Sequence, residues 1–392
     1  MKIILIHNKY QQAGGEDLVF QSEGDLLLSQ GHQVEFLVFD NREIKTSLDR
    51  LLSGLKVVYN PSSSRRLKDR IASFKPDIIH VHNFVPLASP SIFFAAKAYN
   101  IPVVVTLHNY RLICPSATLF YNNAIYEKSV HAAFPWHAIM HGVYRDSRLQ
   151  TAALAIAIRW HNFVGTWYKK IDRFIVLTEF ARKKFEDSIL TTKKDAFVVK
   201  PNFVVDHGVG NEKRENFYLY IGRLTEEKGI GTLLEAARLY AFKLVIIGDG
   251  PMRKTVEEFS GNYPDVSYLG YQGKEMILTY LKRCRALLFP STWYEGFPMT
   301  ILEAFSTGTP VIASRLGSMA EIVRHEINGL HFGAGDAQDL VSKLQWMDHK
   351  PEMGDILSRN ARDIYVKHYT PEINYNLLID IYAQVLQERK NT

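Results

Sequence analysis

Short apolar segments rich in β-branched residues alternate with helical segments along the chain, and this alternation occurs twice. The first series starts at Lys2–His7 and ends at Phe197–Val199, and the second starts at Phe217–Ile221. Strands separated by helices of about 10–15 residues are typical of βαβ units around a parallel sheet. The pattern therefore predicts an α/β fold built from two Rossmann-like halves.

The domain limits follow from the place where this alternation pauses. The polar segment 201–215 separates the two series, which predicts an N-terminal domain of residues 1–205 and a second domain of residues 206–370. Residues 371–392 are expected to form a C-terminal helix that packs back on the N-terminal domain. Ligands of open parallel sheets bind beyond the carboxyl ends of the strands, so a facing pair of sheets is expected to hold one ligand in the cleft between them.

The composition is typical of a soluble globular protein, with 46% hydrophobic and 22% charged residues. No apolar run reaches the length of a transmembrane helix, and the short apolar N-terminus is better explained as a strand than as a signal sequence. The two cysteines, Cys114 and Cys284, are far apart in the chain. This spacing argues against a disulfide framework or a zinc site and fits a reducing cytoplasm.

The positive charge lies in the first half of the chain. Residues 1–205 contain 26 Lys and Arg against 17 Asp and Glu, a net +9, whereas residues 206–392 have a net −3. A basic half favours anionic partners, either nucleic acid or an anionic membrane surface. A basic face without a special partner would have the same charge, so the excess alone does not choose between these possibilities.

Three segments of the first half receive specific predictions. Val57–Tyr59 is expected to be a short strand, and Thr151–Lys170 a single helix with basic ends. Residues 111–150 contain prolines, asparagines and scattered aromatic residues, which predicts a long irregular insertion that is either functional or mobile.

A strand-to-helix turn in the second half is bracketed by two carboxylates. The run Ala286–Pro290 is of β type, Glu295 follows it, and Glu303 lies one to two turns inside the next helix. The first backbone N–H groups of a helix have no intrahelical partner, and a carboxylate can accept hydrogen bonds from two sugar hydroxyls. An ordinary helix start with an acidic first turn has the same local pattern. The residues at the other strand ends must therefore distinguish a ligand-binding site from an ordinary helix start.

Glycine-rich and basic turns follow the first strand of each half. Gly14 and Gly15 could let the backbone approach a phosphate at a helix N-terminus, although most Gly-Gly pairs only mark turns. They do not form the GxGxxG fingerprint of dinucleotide-binding proteins. Gly222 and Arg223, with Lys228 five positions after the arginine, could clamp a diphosphate at the mouth of the predicted cleft.

Two further strand ends are candidates of lower specificity. Gly248 begins a Gly-Asp-Gly-Pro turn that could contact a ligand or could only be a tight connection before a helix. His108 ends the apolar run Pro102–Leu107, and its polar ring therefore stands where ligands of such sheets bind. A single histidine is more often structural, but its position favours His108 over Asn109 and His7.

These motifs together resemble the retaining glycosyltransferases of family 4, which have the two-domain GT-B architecture. The resemblance covers nearly the whole chain. Its most specific part is Glu295 with Glu303 eight positions later, followed by Ala304 and the segment 308–313. It suggests a bacterial enzyme that builds a cell-surface polysaccharide or a glycolipid.

The resemblance implies a role for each motif. Glu303 would accept hydrogen bonds from ribose hydroxyls, Glu295 would contact the transferred sugar, and His108 would lie beside that sugar. The implied donor-binding residues are Gly14, Gly15, Gly222, Arg223, Lys228, Gly248, Phe297, Met299, Thr300 and Glu303. The implied catalytic residues are His108, Glu295, Arg223 and Lys228. The chain departs from the usual pattern at Pro298, where glycine is frequent and where proline removes an N–H donor.

The expected chemistry needs no metal and no cofactor besides the nucleotide-diphosphate sugar. Arg223 and Lys228 can neutralise the departing diphosphate, where charge develops in the transition state, and no Asp-x-Asp motif is present. The acceptor would be a glycan or a lipid-linked molecule. The basic run from Arg65 to Arg70 and the insertion 111–150 could place the first domain on an anionic membrane at the cytoplasmic face; a solvated helix at Arg65–Arg70 is an equal alternative.

Three other functions remain open from the sequence. A nucleotide-sugar 2-epimerase of the same architecture would convert the donor without an acceptor. A related sugar phosphorylase would carry a pyridoxal-linked lysine. A non-catalytic nucleotide-sugar sensor or nucleic-acid binder would use the basic half, but no nucleic-acid-binding module is present. The sugar, the nucleobase and the oligomeric state are not determined by the sequence.

Overall fold

The computed structural model describes residues 1–9, 14–43, 54, 56–210 and 214–390. They group into two compact units. Unit 1 contains Met1–Tyr121, Tyr126–Pro201 and Asn374–Thr392, and unit 2 contains Asn122–Ile125 and Asn202–Ile373. The division falls after Pro201 and after Ile373, compared with the predicted boundaries after residues 205 and 370.

Unit 1 is organised around a six-stranded sheet in which every pairing is parallel. Its strand order is β2-β1-β3-β4-β7-β8. The strands are β1 (Lys2–Lys9), β2 (Gln33–Asp40), β3 (Ile78–Val81), β4 (Val103–Leu107), β7 (Arg173–Val176) and β8 (Phe197–Val199). Since the strands are parallel, their carboxyl ends share one edge of the sheet.

Helices connect these strands as crossover elements. They are α1 (Gly15–Ser29), α2 (Pro61–Phe74), α3 (Ser91–Ala98), α4 (Trp136–His141), α5 (Arg148–Phe163), α6 (Thr166–Lys170) and α7 (Glu179–Glu186). Local sequence explains the helix ends: Asn60 caps α2 by accepting a hydrogen bond from the Ser62 N–H, and Pro61 occupies the first helical turn, where its missing N–H costs nothing.

The chain returns to unit 1 at its C-terminal end. The last helix, α15 (Pro371–Lys390), contributes Leu378, Ile381, Tyr382 and Val385 to the same buried core as Ile3 of β1. Asn374 also donates a hydrogen bond to the Pro201 carbonyl oxygen at 2.6 Å. Helix α15 is therefore part of the unit 1 core.

Unit 2 repeats the architecture with a second six-stranded parallel sheet, of order β11-β10-β9-β12-β13-β14. Its strands are β9 (Tyr218–Ile221), β10 (Leu244–Ile247), β11 (Val266–Tyr268), β12 (Ala286–Phe289), β13 (Val311–Ser314) and β14 (Gly329–Phe332). Its helices are α8 (Ile230–Leu239), α9 (Arg253–Asn262), α10 (Lys274–Arg283), α11 (Met299–Ser306), α12 (Gly317–Ile322), α13 (Ala337–His349) and α14 (Pro351–His368). Apolar clusters on both faces bury the sheet, as expected for a parallel sheet covered by helices.

Two local predictions were wrong. Val57–Tyr59 is not a strand; Val57 and Val58 lie in a turn that leads to the cap of α2. The predicted helix Thr151–Lys170 is two helices, α5 and α6, because Gly165 between them has a φ of +72°, a left-handed conformation that interrupts a right-handed helix. The insertion 111–150 contains two short strands, β5 (Phe120–Tyr121) and β6 (Ala124–Ile125), and helix α4.

The prediction of an α/β fold with two Rossmann-like domains is confirmed. Among the described residues, no helix combines the length and the apolar character that crossing a bilayer requires.

Candidate active site

Glu295 is buried in the loop after β12 and accepts three hydrogen bonds through a single oxygen. Its Oε1 lies 2.7 Å from Lys228 Nζ, 2.6 Å from Ser291 Oγ and 2.8 Å from Trp293 Nε1. The Ser318 hydroxyl also donates to the Glu295 backbone carbonyl at 2.7 Å. The carboxylate is therefore held from several directions by its own unit.

These contacts keep Glu295 ionised. Burial opposes the charged form, but the Lys228 ammonium and the donors Ser291 and Trp293 outweigh burial and hold the pKa of Glu295 below its ordinary value. No hydrogen bond joins Oε2 to another described residue. An ionised carboxylate with one saturated and one remaining oxygen can accept a hydrogen bond from a ligand hydroxyl.

Lys228 reaches Glu295 because its loop is fixed against the strand end that precedes Glu295. The loop forms a 3-10 turn, Glu226–Lys228, and the Glu227 carbonyl accepts a hydrogen bond from the Thr292 N–H at 2.9 Å. The next residue, Gly229, has a φ of +76°, and a Cβ atom there would stand 1.9 Å from the Pro290 carbonyl oxygen. Only glycine fits this close approach.

Arg223 precedes this loop and is exposed. No hydrogen bond or ion pair of its guanidinium is found among the described residues. Gly222 and Gly248 lie in direct contact at the ends of β9 and β10, where a Cβ on Gly248 would meet the Gly222 carbonyl oxygen at 1.9 Å. The two glycine turns thus form one small-residue surface beside an unpaired cation.

The start of α11 follows Glu295 by a few residues. Pro298 is the N-cap residue and provides no side-chain cap, and Met299 and Thr300 occupy the first turn. The N–H groups of Met299 and Thr300 precede the hydrogen bonds of the helix, whereas the Ile301 N–H donates to the Pro298 carbonyl at 3.1 Å. Phe297 packs on the unit 2 core, with its ring centroid 6.2 Å from that of Tyr369, so its side chain has a structural role beside any backbone contact.

Glu303 lies in the second turn of α11 and is paired with a cation that the sequence analysis did not identify. The Lys274 ammonium, at the start of α10, donates to Glu303 Oε1. The Glu303 side chain is largely buried, whereas that of Lys274 is exposed. His207 is also close enough to both residues to respond to their charges: burial and then Lys274 lower the pKa of His207, and Glu303 opposes them.

In unit 1, the Gly14-Gly15 turn forms the N-terminus of α1. Gly14 is the N-cap residue, and its N–H donates to Asp17 Oδ2 at 2.8 Å. A Cβ on either glycine would meet no atom within 4 Å. Asn109 donates to Glu16 Oε1 at 3.0 Å, which joins the end of β4 to this helix start.

His108 follows β4 and lines a small cavity of about 20 Å³ together with His82, Asn83 and Arg111. Its Nε2 lies 3.1 Å from Nδ1 of His82. Burial and the neighbouring His82 hold the pKa of His108 well below its ordinary value, so the ring is neutral at pH 7. His108 and the Gly14-Gly15 turn belong to unit 1, and the other predicted site residues belong to unit 2.

A buried polar cluster that the sequence analysis missed lies behind His108. Glu23, His80 and His82 present three atoms within 4.8 Å of one another, a spacing that could hold a metal ion. However, Lys200 Nζ already lies 2.7 Å from Glu23 Oε2, and His80 is bonded to Tyr382 and Thr106 at 2.7 Å each. The Lys200 ammonium therefore supplies the positive charge that a metal would otherwise bring to Glu23.

Two family models match consecutive parts of the chain. Residues 20–205 match the model described as Glycosyltransferase Family 4, and residues 206–364 match the model described as Glycosyl transferases group 1. Together they extend over the central part of both units.

Individual relatives and solved structures agree with these matches. An uncharacterized glycosyltransferase of Methanocaldococcus jannaschii is 28% identical over 50% of this chain, and the match spans 55% of that relative. The N-acetyl-alpha-D-glucosaminyl L-malate synthase of Bacillus anthracis is 21% identical over 100% of this chain and 99% of its own length. The crystal structure of Anabaena HepE in complex with UDP superimposes with a TM-score of 0.69 at 16% identity, covering 98% of this chain and 100% of that one.

Proposed function

The chain belongs to glycosyltransferase family 4 and has the GT-B fold, and on this premise we propose that it transfers a sugar, with retention of configuration, from a nucleotide-diphosphate sugar to a hydroxyl of a glycan or lipid-linked acceptor. The observation that carries the proposal is the Lys228–Glu295 pair. It places a cation and an ionised carboxylate together at the carboxyl ends of β9 and β12, where ligands of such sheets bind.

The cations of this edge would stabilise the leaving diphosphate. Negative charge develops on the β-phosphate as the bond to the anomeric carbon breaks, and a fixed cation contributes most when it is oriented before the reaction. The Glu295 pairing orients Lys228 in this way, and Arg223 adds an exposed guanidinium with bidentate donor geometry. This proposal includes the expectation that no metal takes part.

The two glutamates would hold hydroxyls. Oε2 of Glu295 is available to the transferred sugar, and Glu303 would accept from the ribose. Because the Lys274 ammonium now occupies Glu303, this assignment requires Lys274 to share or leave that oxygen when the nucleotide binds. A donor that contains a ribonucleoside diphosphate is supported by the similar structure from Anabaena, which was determined in complex with UDP.

Retention requires the acceptor to attack from the face that the diphosphate leaves. In the proposed step the acceptor oxygen bonds to the anomeric carbon while the bond from that carbon to the phosphate oxygen breaks. The acceptor proton passes to the departing phosphate oxygen, which balances the charge without a protein base. Glu295 is not assigned as a nucleophile, since the proposed step needs none and its remaining oxygen, Oε2, is assigned to a hydroxyl of the transferred sugar.

An exposed apolar stripe on α5 supports a lipid-linked acceptor at an anionic membrane. Four exposed apolar residues recur at helical spacing on one side of α5: Leu149, Ile156, Trp160 and Phe163. Leu149 and Phe163 are more than 80% exposed. Arg145 precedes this helix, Arg148 begins it, and Lys169 and Lys170 end the following helix, α6. Apolar residues with adjacent cations are the features of a helix that lies in a membrane interface.

The basic helix α2, for which the sequence left a membrane contact and a solvated face equally open, has two of the four basic residues of its Arg65–Arg70 run engaged within unit 1. Arg70 forms an ion pair with Glu35, and Arg66 donates to the Val38 carbonyl and stacks on Phe39. We therefore transfer the proposed membrane contact from the Arg65–Arg70 run to the α5 stripe.

The proposal is tested by donor binding followed by donor turnover. A nucleoside diphosphate that fits unit 2 should raise the melting temperature of the protein, because a ligand that binds only the folded state stabilises it by mass action. The corresponding nucleotide sugar should then release nucleoside diphosphate faster when acceptor extracts are added. Conversion of the donor alone to its 2-epimer would instead identify an epimerase, and absence of both reactions with a stabilising ligand would identify a binding protein.

A further inference from the structure

A chain of hydrogen bonds runs from a buried lysine to His108 through unit 1. Lys200 Nζ lies 2.7 Å from Glu23 Oε2, Glu23 Oε1 lies 3.0 Å from His82 Nε2, and His82 Nδ1 lies 3.1 Å from His108 Nε2. The four residues come from the segment after β8, from α1, and from the ends of β3 and β4. All four side chains are at least nine-tenths buried.

The negative charge of Glu23 determines the direction of the two hydrogen bonds that lead from it to His108. An ionised carboxylate can only accept hydrogen bonds, so His82 must carry its proton on Nε2 to bond with Glu23. A neutral imidazole has one donor and one acceptor nitrogen, which leaves His82 Nδ1 as an acceptor. The bond to His108 then requires the His108 proton to be on Nε2, and its Nδ1 retains a lone pair.

The charge states needed for this direction agree with the surroundings. Burial opposes ionisation of Glu23, but Lys200, His82 and His80 outweigh it and hold the pKa of Glu23 well below its ordinary value. Burial lowers the pKa of His82 to about 4 in spite of Glu23. At neutral pH the chain therefore contains a carboxylate and neutral imidazoles.

We propose that Glu23 is a positioning residue for His108: through His82 it fixes the tautomer of His108 so that Nδ1 presents a hydrogen-bond acceptor to a sugar hydroxyl. This inference rests on the proposed function only in its last step, the contact with a sugar. Nδ1 of His108 forms no hydrogen bond with a described residue. It belongs to a ring that lines the cavity at the carboxyl edge of the sheet.

The neighbouring groups support this direction and do not reverse it. His80 Nδ1 is 3.1 Å from Glu23 Oε1 and 2.7 Å from the Tyr382 hydroxyl, so it adds a second contact to the same carboxylate oxygen. Asn374 Oδ1 accepts from Lys200 at 3.0 Å. His7, the other nearby histidine, is paired with Asp17 at 2.8 Å and has no bond to the chain.

Two double variants separate the acceptor role of Glu23 from its role in packing. Glu23→Leu with Lys200→Met replaces the buried ion pair by apolar groups of similar volume, a change that proteins can tolerate. Glu23→Gln with Lys200→Met also removes both charges but keeps an amide oxygen that can accept from His82. A third variant, His82→Phe, keeps the ion pair and an aromatic ring and interrupts the chain at its centre.

The tautomer is read from the side-chain nitrogen resonances of the full-length protein labelled with ¹⁵N-histidine, with His108→Gln to assign the signals. We expect His108 to be protonated on Nε2 in the wild type and in the Glu23→Gln double variant (the Gln variant). In the Glu23→Leu double variant (the Leu variant) and in His82→Phe, we expect a mixture of the two tautomers. The same two variants should lose about tenfold in kcat/KM, the value of one hydrogen bond, and the Gln variant should recover most of it.

The outcomes distinguish the two proposals. Unchanged His108 signals in both the Leu variant and His82→Phe, with melting curves that show folded protein, would overturn the positioning role. The His82→Phe arm keeps the test decisive if the Leu variant does not fold. A tautomer change in a protein whose wild type turns over no nucleotide sugar would support the hydrogen-bond chain and refute the proposed function.

Discussion

Lys228 and Glu295 are 67 positions apart in the sequence, yet their Nζ and Oε1 atoms lie 2.7 Å apart. The contact joins the loop after β9 to the loop after β12, which are neighbouring strands of the unit 2 sheet. A cation that is already oriented by a carboxylate needs little reorganisation when a diphosphate arrives, and this is the main physical argument for the proposed site.

Replacing Lys228 by methionine should destabilise unit 2 in a pH-dependent manner. The variant leaves a buried carboxylate without its cation, and we expect a loss of about 1–3 kcal/mol in the free energy of unfolding at pH 7. Because the pKa of Glu295 is lowered in the folded protein, the pair stabilises above the pKa of the unfolded chain, and this stabilisation is lost as pH falls through the folded pKa.

Urea unfolding of both proteins between pH 7 and pH 3 measures this difference. The gap between wild type and Lys228→Met should be constant near neutrality and should shrink below about pH 4.5, the ordinary pKa range of a glutamate. A gap that is equal at every pH would show that Lys228 stabilises through packing alone.

Arg223→Ala should reduce the turnover of the donor by about 10²-fold with little effect on stability, since one preorganised donor to the developing charge is removed and the side chain is exposed. Steady-state kinetics with saturating donor measures the effect. Arg238→Ala is the matched control, because Arg238 is also an exposed arginine of unit 2, near the C-terminal end of α8, and is paired with Glu235. Equal rates for both variants would refute the leaving-group role.

Glu303→Gln should weaken recognition of the ribose specifically. With the nucleoside diphosphate that stabilises the wild type, removal of a ribose hydroxyl from the ligand should cost about tenfold in affinity, as expected for a hydrogen bond to a charged group. In Glu303→Gln the ribose and deoxyribose ligands should bind almost equally. Calorimetric titration of both proteins with both ligands gives the coupling free energy between Glu303 and the ribose hydroxyl. If Glu303→Gln still prefers the ribose ligand by the full factor, another residue recognises the ribose.

Gly229→Ala should destabilise unit 2, whereas the nearby Gly231→Ala should not. Alanine at 229 must adopt a left-handed conformation and place its Cβ against the Pro290 carbonyl, which costs at least about 1–2 kcal/mol. Gly231 lies in α8 with open space at its Cβ position, so alanine there should stabilise by about 0.5–1 kcal/mol. Thermal unfolding of the two variants measures both signs, and two equal shifts would contradict the close approach.

Removing the aromatic part of the α5 stripe should reduce binding to anionic vesicles. Trp160→Ser with Phe163→Ser removes two exposed rings, and each buried ring contributes about 1.5 kcal/mol or more to insertion. We expect at least tenfold weaker flotation with vesicles that contain phosphatidylglycerol at low salt. Tyr271→Ser in unit 2 is the control, since Tyr271 is an exposed ring that lies outside the stripe. If the wild-type protein does not float with these vesicles, the proposed membrane contact is refuted.

The sequence predicted the fold because it depends on local periodicity, and the residues at strand ends could be found by the same means. The bracket of Glu295 and Glu303 around the start of α11 is an example. The partners of these residues could not be found, because Lys274 and Lys228 reach them through the packing of separate crossover units. The break at Gly165 was missed because an isolated glycine in a helical pattern is often tolerated.

The chain of hydrogen bonds behind His108 could not be predicted from the sequence, because it also depends on the packing of segments that are far apart in the chain. His80 and His82 are two positions apart in an extended segment and therefore share a face, which was a signal for a polar cluster. Glu23 lies on a helix and Lys200 follows the last strand, so only the assembled sheet brings them to those histidines.

The position of α15 has a consequence for how the protein is made. Tyr382 and its apolar neighbours complete the core around Ile3 and Leu5, so unit 1 lacks part of its interior until residues 374–390 have been synthesised. Domains usually fold in the order of their synthesis, but here unit 1 has to wait for α15, which is synthesised after unit 2. A fragment ending at Pro201 would therefore expose this core, and a stable N-terminal fragment would need residues 374–390 supplied through a linker.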